Sequence, residues 1–65
     1  MKDRNLLASA PTREDIQTSI IKFYGGQAMT VTEDLQIVRN SDGLVLDDVR
    51  VTVKKGRYRF EMVQL

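Results

Sequence analysis

The sequence predicts an α+β domain: one N-terminal helix packed on a five-stranded antiparallel β-meander, which ordinary strand twist would curl toward a half-barrel. Three observations predict it. Apolar and polar residues alternate on both sides of Lys55-Gly56, the pattern of an antiparallel hairpin. A capped helical stripe lies upstream. The turn signals between them give strand registers that agree with one another.

The hairpin runs from Val49 to Val63, with Lys55-Gly56 as its loop. Two-residue loops of this kind need positive φ, and Gly56 supplies it at little steric cost. Lys54 then faces Arg57, and Val53/Tyr58, Val51/Phe60 and Val49/Met62 share one face. Pairs of β-branched with aromatic or long apolar side chains stabilise such ladders by roughly 0.2–1 kcal/mol each. The opposite face carries Lys54/Arg57, Thr52/Arg59 and Arg50/Glu61. A slip of one residue would reverse both faces.

Upstream, residues 1–11 read as a flexible tail, and 12–65 as the single domain. Thr12 is a good N-cap, with Asp15 placed three residues on, where capping-box side chains sit. Ile16, Ile20, Phe23 and Tyr24 make one stripe, so the helix is expected over Arg13–Tyr24. Gly25-Gly26 ends it. About three turns cannot stand alone, so the stripe must pack on the sheet.

Gln27 to Thr32 alternates as a strand, Thr32-Glu33-Asp34 reads as a loop, and Leu35 to Arg39 as the next strand. Asn40-Ser41-Asp42-Gly43 is a strong turn, followed by Leu44-Val45-Leu46 and a short Asp47-Asp48 turn into Val49. With these turns, Met29 faces Ile37, Val31 faces Leu35, Val38 faces Val45, Ile37 and Val49 both face Leu46, and Leu44 faces Val51. Met29, Val31, Leu35, Ile37, Leu44, Leu46 and the apolar hairpin residues then line one face, which the helix covers.

A chain of 65 residues forms one small domain with a limited core, so a partner or self-association is expected to help it. With 42% apolar and 29% charged residues it suits a soluble globular class rather than a disordered one. There is no Cys and no His, which removes disulfides, zinc-finger sites, Cys nucleophiles and His-based catalysis. That absence fits a reducing compartment, and the expected location is cytoplasmic. No apolar run approaches the ~20 residues of a membrane span, and Leu6 to Ala8 is too short for a signal-peptide core.

The candidate binding residues are Arg50, Lys54, Lys55, Arg57 and Arg59, projecting from the outer hairpin face and its turn. Net charge is only +1, so this basic character is local. Such a face can dock an acidic protein surface or follow a phosphate backbone, or simply be a solvated face that resists aggregation. Tyr58 and Phe60 point inward in this register, away from bases. Asp47-Asp48 is better read as a turn than as a metal site, and no catalytic set or cofactor motif is legible.

The expectation is therefore a small non-enzymatic protein-interaction module, with nucleic-acid binding as the alternative and an enzyme or enzyme subunit as the weakest reading. The last strand is expected to be an exposed edge able to form a homodimer. In size and layout alone the chain resembles small proteins of phages and mobile elements that bind one host protein; no motif carries that likeness and no residue role follows from it.

Overall fold

In the computed structural model, which describes residues 4–63, the expected helix is α1 (Arg13–Phe23), with Tyr24 as its C-cap. Thr12 has extended backbone (φ −131°, ψ 161°), and its Oγ1 accepts the Asp15 N–H at 3.1 Å. One of the orphan donors of the first turn is thereby satisfied. At the other end the Gly26 N–H donates to the Ile21 carbonyl at 2.8 Å and the Gly25 N–H to that of Lys22 at 3.1 Å. This is a Schellman motif, and Gly25 at φ +72° takes the left-handed position that it needs.

Among the described residues six strands accompany the helix: β1 (Leu6–Ala10), β2 (Met29–Val31), β3 (Ile37–Arg39), β4 (Leu44–Val45), β5 (Val49–Lys54) and β6 (Arg57–Met62). They form two antiparallel sheets, ordered β1-β6-β5 and β2-β3-β4. The class is α+β as the sequence predicts, but the sheet is divided and gains a strand. Neither sheet closes into a barrel. Among the described residues no helix is long and apolar enough to cross a membrane.

The β5–β6 hairpin has the expected register throughout, from Val49↔Met62 to Lys54↔Arg57. Both loop residues have positive φ, +53° at Lys55 and +78° at Gly56, the pattern of a type I′ turn that matches strand twist. The β3–β4 pairing is also as expected, with Val38 opposite Val45.

Several expectations need correction. The proposed tail over residues 1–11 contains β1, which pairs with β6 (Ala8↔Phe60, Ser9↔Arg59, Ala10↔Tyr58); residues 1–3 lie outside the described residues. Small Ala8 and Ala10 side chains let the chain lie close over Phe60 and Tyr58, and Ala10 is buried. As a result β6 is the central strand of its sheet, not an exposed edge, so a homodimer through the C-terminal strand has no free ladder there. Asp47-Asp48 does not close a β4–β5 hairpin; the chain leaves one sheet for the other at that point.

Finally, the β2–β3 loop lies one residue later than expected, over residues 33–35, and Val31 pairs with Ile37 rather than Leu35. Leu35 takes the left-handed region (φ +64°), its N–H donates to the Thr32 carbonyl at 2.9 Å, and the Gln36 N–H meets Thr32 Oγ1 at 3.1 Å. This is a three-residue loop closed by a left-handed residue. The slip is two residues, so the inward face is unchanged.

The core lies between α1 and the two sheets. Ile16, Ile20 and Phe60 are wholly buried, and Met29 and Ile37 nearly so. Gln17 on α1 bridges to the second sheet, its Oε1 accepting the Val31 N–H at 2.9 Å. Phe23 departs from its expected place in the core and is 53% exposed. It sits on the last turn of α1, with its ring edge-on to Tyr24 and Phe60 at 5.0 and 5.3 Å.

Candidate functional site

Strand alternation places Arg50, Lys54, Arg57 and Arg59 on the outer face of β5–β6, with Lys55 at the turn. The structure does not leave these five as one uniform cationic patch. Glu61 stands in the same face and is only 8% exposed. Arg59 Nε donates to Glu61 Oε2 at 2.7 Å, and Arg50 Nε to Oε1 at 3.3 Å. The Arg59 hydrogen bond is the main reason that the Glu61 carboxyl titrates below the usual range; burial opposes the shift and Arg50 adds to it. Two cations are thus bound to a structural anion.

Arg57 reaches across to β1, where its Nε donates to Ser9 Oγ at 3.2 Å. The Ser9 partner was beyond sequence reasoning because β1 itself was. Lys54, Lys55 and Arg57 remain clustered and exposed at the turn end of the hairpin. The aromatic side chains lie on the other face, with Phe60 wholly buried and Tyr58 packed against the core. The basic surface therefore offers charge and no ring on which a base could stack.

A second feature lies at the opposite end of the same hairpin. A groove of about 440 Å³ opens between Leu7 of β1, Phe23 and Tyr24 at the end of α1, and Val49 and Met62 of β5 and β6. Phe23 and Met62 are 53% and 43% exposed, among the largest apolar groups that the fold leaves in solvent. Asp48 adds a carboxylate to this lining. The Tyr24 hydroxyl is held above its ordinary pKa, first by burial and then by the negative charge of Asp48. The groove thus combines an apolar floor, a hydroxyl and an acid beside the negative end of a helix.

No sequence signal marked this groove. Phe23 and Met62 both carry the periodicity of core residues. Both lie at the ends of their elements, Phe23 closing α1 and Met62 closing β6, where the fold leaves them partly uncovered. Comparison with known proteins finds no family model, no curated protein and no solved structure that matches the chain.

Proposed function

We propose that the chain is a small non-enzymatic protein-interaction module that takes an apolar side chain of a partner protein into the groove beside α1. The observation that supports this reading is the convergence of exposed Phe23 and Met62 on one concave surface. Contiguous apolar surface of this kind marks interaction sites more often than scattered single residues do. Asp48 and the helix C-terminus favour a Lys or Arg next to the partner's apolar anchor.

The test compares capture by the wild-type chain with capture by Phe23→Asp and by Arg57→Glu from a lysate of the source cells. The expected result is a specific protein that Phe23→Asp loses and Arg57→Glu retains. Equal capture by all three overturns the reading, and loss only with Arg57→Glu moves the contact to the basic face.

Nucleic-acid binding has one observation in its favour, the cluster of Lys54, Lys55 and Arg57 at the hairpin turn. Fluorescence anisotropy with duplex and single-stranded oligonucleotides tests it. Phosphate contacts would weaken steeply with salt, because each one releases counterion. No binding at low salt retires this reading.

A further inference from the structure

We infer that the side chain which the groove takes from its partner is a trimethylated lysine, a hydrocarbon stem ending in a cation that carries no N–H. The inference rests on the groove being the partner site, and it merges the apolar anchor and the neighbouring cation into one side chain. The Phe23 and Tyr24 rings stand at 83° with centroids 5.0 Å apart, so they form a corner rather than a flat stack. Aromatic rings attract cations, and quaternary ammonium groups are recurrent ligands of such rings. Met62 adds a polarisable thioether to the same lining. Asp48 supplies the negative charge. The Val63 N–H donates to the Asp48 carbonyl at 3.0 Å, which fixes the backbone that carries the carboxylate. That charge adds to burial in raising the Tyr24 hydroxyl pKa. Among the described residues no Lys or Arg forms an ion pair with Asp48.

Hydrogen-bond accounting selects the kind of cation. A primary ammonium or a guanidinium brings several N–H donors that need acceptors. The lining side chains offer the Asp48 carboxylate and the Tyr24 hydroxyl. The last carbonyls of α1 are already engaged, since the N–H groups of Tyr24, Gly25 and Gly26 donate to Ile20, Lys22 and Ile21. The helix end therefore contributes negative potential but few open acceptors. Donors that lose water and find no acceptor are costly. A trimethylammonium group has no donor to lose, and its methyl groups suit an apolar wall.

Charge selects the source of that group. Choline lipids and betaines place a phosphate or a carboxylate close to the ammonium. Asp48, its exposed neighbour Asp47 and the negative end of α1 all oppose a second anion there. A lysine stem is uncharged, and its methylenes can lie along Leu7 and Val49 while the peptide backbone stays outside the groove.

The test titrates the full-length chain, followed by amide NMR, with a capped Gly-Ala-Lys-Ala-Gly peptide. Its lysine is unmodified, trimethylated, or replaced by the neutral tert-butyl isostere of trimethyl-lysine. The trimethylated peptide is expected to shift the Phe23, Tyr24 and Met62 amides and to bind about tenfold more tightly than either other form. Asp48→Asn is expected to weaken it about fivefold and to leave the tert-butyl peptide unchanged. Phe23→Leu, which keeps an apolar side chain and removes the ring, is expected to weaken it by a similar factor. Both positions are exposed, and unchanged resonances elsewhere show that the variants fold. Equal binding of the three peptides, tightest binding of the tert-butyl form, or no shift in the groove with any of them overturns the inference. So does tighter binding to phosphatidylcholine vesicles than to the trimethylated peptide, which moves the quaternary ammonium to a lipid. The groove itself is judged separately. If Phe23→Asp still loses the captured partner, the groove reading stands without this ligand; if capture is indifferent to Phe23→Asp, the groove reading fails.

Discussion

Glu61 is the residue on which the outer face turns. Its carboxylate is buried between two guanidinium groups, and a buried hydrogen bond to a charged partner contributes on the order of 2 kcal/mol. Its pKa is lowered in the folded chain, so its contribution is fully present above the ordinary carboxylate range and is lost as pH falls through the folded value. Exposed Asp42 behaves likewise: the Arg39 side chain and the Leu44 N–H hold its pKa down at about 2. Glu61→Gln is expected to cost about 2 kcal/mol at neutral pH. The gap to wild type should close as urea denaturation is repeated at lower pH, leaving the Asp42 share in both proteins. A constant gap would mean that the side chain matters by shape alone. Lys55 carries a smaller cost. It sits at φ +53° in the hairpin turn, where Asn is better accommodated. Lys55→Asn should raise stability by about 0.5 kcal/mol, read as a higher denaturation midpoint with an unchanged slope.

Among the elements, the β5–β6 hairpin was legible pair by pair. Its two halves alternate in phase, and Gly56 marks where they turn. The Arg50–Glu61 pairing followed from that register alone. The helix was equally plain, since Thr12, the Ile16 and Ile20 stripe and Gly25 each signal a different part of it. β1 was not, because Leu-Leu-Ala-Ser-Ala has weak strand propensity and no alternation. What makes it a strand is the open side of β6, a fact of the assembled fold. Asp47-Asp48 gave a turn but not its consequence, since a hairpin and a crossing between sheets have the same local composition. Deleting residues 1–10 is therefore expected to be far more damaging than trimming a tail. Circular dichroism should show loss of cooperative unfolding, because β6 would lose a ladder and Phe60 part of its cover. A truncated chain with wild-type thermal stability would refute the role given to β1.

For the whole molecule, one small core joins α1 to both sheets, with Phe60 wholly buried within it. A domain of this size has a net stability of roughly 3–10 kcal/mol. Truncating a buried Phe costs about 3–5 kcal/mol, so Phe60→Ala should bring the chain to the edge of unfolding at 25 °C, visible as loss of dispersed amide resonances. A folded, dispersed spectrum would show that the two sheets hold together by other means. The candidate sites were legible only in part at this scale. The basic residues could be placed on one face from alternation, but the groove depends on how the end of α1 meets β1, β5 and β6, which is set by packing between distant segments.

The central position of β6 also bears on synthesis. Of the three strands in its sheet, the one to which both β1 and β5 pair is the last to be made. Until it emerges, β1 has no partner and Phe60 is missing from the core. The nascent chain can form its helix early, but not its first sheet. Folding must await the end of translation of these residues, and until then the apolar side chains of α1 and β5 are exposed to whatever else is present.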